Sequence, residues 1–200
     1  MAAWGNWGQP LVKELRVYFE GSPLLRSGFH RFLGEIITFA ADARIRVNFV
    51  ATKGRPIEDF KIALAKHPEA HNVLLLDSEG PLDSSSRRPR LNTISANQVF
   101  WMVELMEAWF LADPDSLEGY YGADFQRDSL PGRREIEQTP KAEVERGLKE
   151  ATRRTKKGKY HKTKHAPDLL AKIDAAKVRT ASPQCDRIFG ELIAAIQQSD

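Results

Sequence analysis

Three carboxylates follow two short apolar runs in this chain and could bind a divalent metal ion together. The run over residues 15–19 ends at Glu20 and a glycine, and the run over residues 73–76 ends at Asp77 and Glu79, with one serine between them. Such runs are typical of buried β-strands. In an open parallel sheet, ligands bind beyond the carboxyl ends of the strands. Because Mg²⁺ and Mn²⁺ prefer carboxylate oxygens, the pattern predicts a Mg²⁺ or Mn²⁺ site there.

The chemistry predicted for these three acids is phosphoryl transfer. A divalent ion would stabilise charge on phosphate oxygens and help to generate or orient a nucleophile. The alternation of Asp77 and Glu79 about one serine lets both carboxylates face one site, provided that the backbone stays extended. One acid after one strand would be explained as well by a helix cap or a turn, but two acidic strand ends favour metal binding.

The stretch over residues 151–165 is strongly basic, with seven Lys or Arg and no acid. It has the composition of a phosphate-contacting surface, because each cation that neutralises a phosphate releases counterions. Tyr160, His161 and His165 could stack on bases or bond phosphates. An isolated charge run would be explained as a solvated helix end or loop. Together with a metal site it favours nucleic-acid binding, and the predicted substrate-binding residues are Arg153, Arg154, Lys156, Lys157, Lys159 and Lys162.

Glu107 lies in an otherwise apolar segment and has two interpretations. It could face solvent beside Glu104, because residues three apart share a helix face. It could instead be a fourth acidic or substrate-positioning group, partly desolvated by its bulky neighbours. The sequence leaves both open.

Alternating strands and helices are predicted to position the two acidic strand ends. Strands over residues 15–20, 45–50 and 72–77 alternate with helices over residues 22–41 and 57–66. A β-α-β-α-β order with helical crossovers predicts a three-layer α/β core with a mainly parallel sheet.

The remainder of the chain is predicted to be mainly helical. Residues 81–93 have no period and are expected to form a mobile loop, and a buried-face helix is expected over residues 96–112. Irregular structure with one short helix should follow. A core over residues 1–113 and a basic helical extension over residues 114–200 are predicted, with helices over residues 140–151, 168–173 and 183–197.

Composition favours an ordinary globular protein. The 200 residues are 42% hydrophobic and 28% charged, with a net charge of +3. No apolar run is long enough to cross a bilayer, and the first residues lack the features of a signal peptide, so a cytoplasmic protein without membrane contact is expected. The single cysteine, Cys185, cannot form an intramolecular disulfide. Trp4 and Trp7 are expected to cover an apolar surface or to belong to a flexible end.

The chain resembles the TOPRIM domain, the metal-dependent module of topoisomerases, primases and overcoming-lysogenization-defect-type nucleases. The resemblance rests on a glutamate after the first strand and an acidic pair after the third. The longer pattern more specifically resembles an uncharacterised bacterial TOPRIM-like family whose members often appear near ATPase genes in mobile or defence-associated regions. The matching segments are FEG at residues 19–21, LLDSEG at 75–80, MEAWFLAD at 106–113 and KKGKYHK at 156–162.

The resemblance implies a TOPRIM-like core in which Glu20 is a metal ligand or acid/base and Asp77 and Glu79 are metal ligands. One residue departs from the family pattern, because the usual second aspartate is here Glu79. The implied activity is Mg²⁺-dependent nuclease cleavage of DNA or RNA in a defence system, with an ATPase partner. The alternative is a non-catalytic module that binds nucleic acid or docks on the ATPase.

Overall fold

A computed structural model describes residues 13–52, 54–132 and 135–198 of the protein. Trp4 and Trp7, for which packing was predicted, lie outside these ranges. Four strands form one sheet in the order β2-β1-β3-β4, and all of the pairings are parallel. The strands are β1 (Glu14–Glu20), β2 (Arg46–Thr52), β3 (His71–Asp77) and β4 (Val99–Met102).

Helices cover both faces of this sheet, which confirms the predicted α/β class with a parallel sheet and C-terminal helices. Among the described residues, two 3₁₀ helices matter for the site, Pro23–Leu25 and Met106–Ala112. The α-helices are α1 (Arg26–Phe32), α2 (Gly34–Asp42), α3 (Pro56–Lys66), α4 (Pro114–Tyr121), α5 (Lys141–Thr152), α6 (Lys162–Leu170), α7 (Ala175–Ala181) and α8 (Pro183–Gln197).

Alternate residues of the strands point into two separate apolar clusters. On one face Phe19 packs against Phe29 of α1, with ring centroids 4.6 Å apart. On the other face Tyr18 meets Phe60 of α3 at 5.3 Å. Strands β3 and β4 are buried on both faces, so their sequences are nearly continuous apolar runs, as is usual for parallel strands.

The chain turns sharply after Glu20, as its sequence indicates. Gly21 has a φ of 134°, which favours glycine, and a Cβ atom there would lie 2.8 Å from the Leu25 side chain. The Ser22 hydroxyl then accepts a hydrogen bond from the backbone N–H of Leu24, and Pro23 begins the helical turn. A single helix was predicted over residues 22–41. The structure instead has a 3₁₀ turn followed by α1 and α2, because the helix is interrupted at Leu33.

The helix predicted over residues 96–112 is wrong. The structure has strand β4 and then the 3₁₀ helix Met106–Ala112. Every residue from 99 to 110 is buried, so the sequence there has no alternation of apolar and polar residues that would distinguish a strand from a helix. The correction matters because β4 lies beside β3, which places Glu104 and Glu107 just beyond the same carboxyl edge of the sheet.

The C-terminal helices pack on the sheet face that carries α1. Residues from both sides of residue 113 share one apolar cluster. Helix α6 approaches α1 closely, because a Cβ atom on Gly28 would lie 2.8 Å from the carbonyl oxygen of Pro167. The sequence predicted a helix over residues 168–173, whereas α6 covers Lys162–Leu170, and α7 was not predicted. No helix among residues 13–52, 54–132 and 135–198 has the length and apolarity to span a bilayer.

Candidate functional site

Both acidic strand ends line one pocket at the carboxyl edge of the sheet. Its volume is about 440 Å³, and its wall includes Glu20 after β1, Thr52 at the end of β2, and Asp77 and Glu79 after β3. Lys162, the first residue of α6, completes the wall. The fold therefore brings together the three predicted metal-binding acids and one predicted substrate-binding lysine.

Asp77 is the most buried of the three predicted metal ligands, with 5% of its surface exposed. Its Oδ1 atom accepts a hydrogen bond of 2.9 Å from the backbone N–H of Met106. Burial raises the pKa of Asp77 to about 8; Lys162 opposes this rise, and Glu107 and Glu20 add to it. Burial therefore shifts the equilibrium of Asp77 toward its protonated form.

Glu107 is buried beside Asp77 and does not face solvent, so that interpretation of the residue was wrong. Only 2% of Glu107 is exposed. The hydroxyl of Tyr160 donates a 3.0 Å hydrogen bond to its Oε1 atom, and Lys162 Nζ lies 3.2 Å from its Oε2 atom. Glu107 is thus a fourth acid at the same edge, held by a buried hydroxyl and an ammonium group.

Lys162 connects the two buried acids. Its Nζ atom lies 3.2 Å from Glu107 and 3.8 Å from Asp77, while about half of the side chain is exposed. Burial by itself would lower the pKa of Lys162, but the attraction of Glu107 and Asp77 outweighs it and the pKa is raised. Lys162 is therefore a charged group at the pocket wall.

Two further cations contact the predicted ligands. Arg87 donates hydrogen bonds to both carboxylate oxygens of Glu20, one of them 3.0 Å long, and lies 3.8 Å from Glu79. Lys141, at the start of α5, donates to the second oxygen of Glu79. Arg87 lies in the segment over residues 81–93, for which only a mobile loop was predicted. The pairing of Arg87 with Glu20 and that of Lys141 with Glu79 could not be recognised from local spacing, because each joins segments that are distant in the sequence.

Hydrogen bonds between loops hold these cations in place. Ser85 donates a 2.7 Å hydrogen bond to the carbonyl oxygen of Ser78, and the Ser78 hydroxyl accepts one of 2.7 Å from the N–H of Glu104. The Glu104 side chain accepts a 3.0 Å bond from the backbone N–H of Lys141. The segment over residues 81–93, predicted to be a mobile loop, thus forms turns tied to the acidic strand end.

The backbone is not extended at Glu79, contrary to the condition on which the alternation argument depended. Glu79 has a φ of 56°, in the left-handed region, so the chain turns there. Asp77 and Glu79 still line the same pocket because this turn brings the second carboxylate back to it. A left-handed residue other than glycine is uncommon and is often found at functional sites.

The basic stretch divides into a buried part and an exposed part. Tyr160 and His165 are each 7% exposed, so they cannot stack on bases as predicted. Instead Tyr160 binds Glu107, and His165 Nδ1 lies 2.9 Å from the Tyr121 hydroxyl. Of the six predicted substrate-binding residues, Lys162 lines the pocket. The other five are exposed and lie between the end of α5 and the start of α6: Arg153, Arg154, Lys156, Lys157 and Lys159.

The donor chemistry of the pocket fits Mg²⁺ or Mn²⁺, since its acids offer hard oxygen ligands. Among the residues that the structure describes, however, no three His, Cys, Asp or Glu side chains are close enough to hold one ion. Arg87 and Lys141 occupy oxygens of Glu20 and Glu79 instead. Binding of an ion would therefore require these acids to exchange their present partners, and the metal site stays a prediction.

The Tyr160 hydroxyl is expected to stabilise the fold through Glu107. Tyr160→Phe should lower the free energy of unfolding by about 1–3 kcal/mol, because it removes a hydrogen bond to a buried carboxylate. Urea denaturation measures this change. Tyr120→Phe is the matched control, since its hydroxyl binds Asp168 at 3.2 Å on the exposed surface, and it should cost about 0.5 kcal/mol or less. Equal effects of the two substitutions would contradict a structural role for the buried hydroxyl.

Comparison with known proteins gives one match. A family profile described as "Domain of unknown function (DUF4276)" matches residues 22–193. No curated protein and no solved structure matches the chain.

Proposed function

We propose that this chain, which belongs to the DUF4276 family, hydrolyses phosphodiester bonds in nucleic acid with the help of Mg²⁺ or Mn²⁺. The observation that carries the proposal is the pocket at the carboxyl edge of the sheet, where Glu20, Asp77 and Glu79 meet Lys162. Acids that can hold a metal ion and a cation that can contact phosphate are the two components of such a site. The TOPRIM resemblance of the same acids supports the reaction class.

Each residue has a proposed role in hydrolysis. Glu20, Asp77 and Glu79 would hold the ion, which supplies positive charge to the phosphate and orients a water molecule when bound. A bond would form between the water oxygen and phosphorus as the water loses one proton, and the ester P–O bond would break as the departing oxygen gains one proton, so that one water molecule is added across the ester bond. Lys162, which is charged and half exposed, would donate a hydrogen bond to the phosphate or to that oxygen. Glu107 orients Lys162.

The simplest test is cleavage of labelled DNA and RNA oligonucleotides by the purified chain in Mg²⁺ or Mn²⁺. Cleavage should disappear when EDTA removes the ion, and nicked or shortened products should return when the ion is added back. Absence of cleavage of single- and double-stranded forms of both polymers in either ion would refute the hydrolase proposal.

A second function is favoured by the internal pairing of the acids. Glu20 already pairs with Arg87, and Glu79 with Lys141, so two of the three predicted metal ligands have cationic partners without an added ion. A non-catalytic module that binds nucleic acid or docks on an ATPase could use these ion pairs for structure alone. In that case Mn²⁺ titration should show no binding that depends on Asp77, and nucleic acid should bind equally well in EDTA.

The exposed basic turn is expected to bind nucleic acid under both proposals. The double variant Lys156→Ala/Lys159→Ala should weaken binding about tenfold at moderate salt. It should also reduce the slope of log affinity against log salt by about 2, because each lysine that no longer contacts a phosphate means that about one counterion fewer is released on binding. Fluorescence anisotropy at several salt concentrations measures both quantities.

The control variant is Lys66→Ala/Lys172→Ala. Both lysines are exposed. Lys66 is the last residue of α3, and Lys172 lies just after the C-terminal end of α6, whereas Lys162 is at its N-terminal end. This variant should keep the wild-type affinity and slope. Equal losses in the two double variants would indicate binding through net charge alone and would refute a specific basic surface.

A further inference from the structure

Arg87 has an unusual position for a residue of a surface loop. Its guanidinium group donates to both Oε1 and Oε2 of Glu20, and Nη2 is also 3.8 Å from Glu79 Oε1. About one fifth of its side chain is exposed, compared with about half of the neighbouring Arg88 side chain. A positive charge therefore already lies between two of the three predicted metal ligands.

The pairing makes Arg87 a competitor of any ion that binds Glu20. A bidentate guanidinium pair uses both oxygens of a carboxylate. An ionised carboxylate has about four lone-pair sites, so Glu20 keeps lone pairs that Arg87 does not use. The guanidinium charge beside them repels a cation, so Arg87 opposes binding of the ion for as long as it stays on Glu20.

The backbone around Arg87 is anchored on both sides, so the side chain can leave Glu20 while the loop stays in place. On one side Ser85 is hydrogen-bonded to the carbonyl oxygen of Ser78, and the N–H of Arg87 donates to the Ser85 hydroxyl at 3.4 Å. On the other side Arg90 binds Glu58 at 2.7 Å. A guanidinium group released from Glu20 would remain at the edge of the pocket.

We infer that Arg87 is a phosphate-binding residue of the proposed reaction that is held on Glu20 until a divalent cation binds. The inference rests on the proposed function. A guanidinium group presents parallel N–H donors that match two phosphate oxygens, as they match two carboxylate oxygens. Glu20 would hold the ion when it is bound, and Arg87 would then exchange that carboxylate for the substrate phosphate. Metal binding and phosphate binding are thereby coupled through one side chain.

The test compares Mn²⁺ binding and cleavage in wild type, Arg87→Ala and Arg87→Lys, with Arg88→Ala as the control. Arg88 is exposed and pairs weakly with the exposed Asp83 at 3.8 Å. In calorimetric titration with Mn²⁺ alone, Arg87→Ala should bind about tenfold more tightly, because the internal competitor is gone. At saturating Mn²⁺ the same variant should cleave about 100-fold more slowly, because one donor to the phosphate is lost.

The remaining variants make the result decisive. Arg87→Lys keeps a charge but cannot bridge both oxygens of Glu20, so its Mn²⁺ affinity should lie between those of wild type and Arg87→Ala. Arg88→Ala should match wild type in both measurements. Unchanged or weaker Mn²⁺ binding by Arg87→Ala and Arg87→Lys would overturn the inference, as would full cleavage by Arg87→Ala at saturating Mn²⁺.

Failure of the inference and failure of the proposed function are distinguishable. If wild type cleaves in Mn²⁺ but Arg87→Ala binds the ion no more tightly, hydrolysis stands and the role of Arg87 is refuted. If wild type never cleaves, the hydrolase proposal fails, and tighter Mn²⁺ binding by Arg87→Ala would still identify Arg87 as the internal competitor for the site.

Discussion

Asp77→Asn is expected to abolish divalent-cation binding and to lower the rate of phosphodiester cleavage by about 10³-fold or more, equivalent to about 4 kcal/mol of transition-state stabilisation. Asparagine keeps the oxygen that accepts from the N–H of Met106, so the local hydrogen bond can survive. It removes the negative charge that a buried ion needs. Calorimetric titration with Mn²⁺ and a single-turnover cleavage assay measure the two losses.

The same substitution is expected to stabilise the protein when no divalent ion is present. Burial raises the pKa of Asp77 from an ordinary value near 4 to about 8. The fold therefore favours the protonated acid, and the stability contributed by this group is fully present below pH 4 and is lost as the pH rises to 8. Denaturation in EDTA at pH 5 and pH 8 should show wild type losing stability relative to Asp77→Asn at the higher pH.

Asp83→Asn is the control for both measurements, because Asp83 lies in the loop after Glu79 with a fully exposed side chain. It should retain Mn²⁺ binding, cleavage and the pH dependence of wild type. Wild-type cleavage by Asp77→Asn would remove Asp77 from the mechanism. A stability difference that is the same at pH 5 and pH 8 would show that the raised pKa of Asp77 does not govern the pH dependence.

Lys162→Met is the second substitution with a large expected effect. It should slow cleavage by about 10²–10³-fold. Lys162 is the charged side chain that contacts both Asp77 and Glu107 and also lines the pocket. The substitution should also lower the free energy of unfolding by about 1–2 kcal/mol, since Glu107 would keep only the hydrogen bond from Tyr160. This cost is smaller than for a fully buried pair because half of Lys162 is exposed.

Lys164→Met provides the comparison, since Lys164 is an exposed lysine two residues further along the same helix. Nucleic-acid affinity should fall by a similar small amount in both variants, because each loses one positive charge. The cleavage rate of bound substrate should fall only in Lys162→Met. If both variants cleave bound substrate at the same rate, Lys162 has no role beyond general attraction of the polymer.

The acidic edge could be predicted because it depends on local signals. Strands β1 and β3 end at Glu20 and Asp77, as their apolar runs followed by acid and glycine indicate. Ser22 and Pro23 likewise mark the helical turn that follows β1. Strand β4 was mistaken for part of a helix because uniform burial from residue 99 to residue 110 leaves no periodicity to read.

Lys162 was among the predicted basic residues, but Arg87 and Lys141 could not be predicted as cations of the site, because their partners are set by long-range packing. Arg87 pairs with a glutamate in the first strand, and Lys141 reaches Glu79 only because α5 begins beside Glu104. Tyr160 shows the reverse error. Its place among lysines suggested a base-stacking aromatic, whereas the fold places its hydroxyl on Glu107. Composition identifies a charged segment, but it does not show which of its side chains are buried.

The close contact of α6 with α1 through Gly28 has a consequence for the order in which the protein matures during synthesis. The acids of β1 and β3 emerge from the ribosome well before Lys162, and only the docking of α6 against α1 brings the lysine to the pocket. A nascent chain that ends before α6 leaves Glu107 without Lys162. Competence for the proposed reaction is thereby delayed until the C-terminal helices have folded.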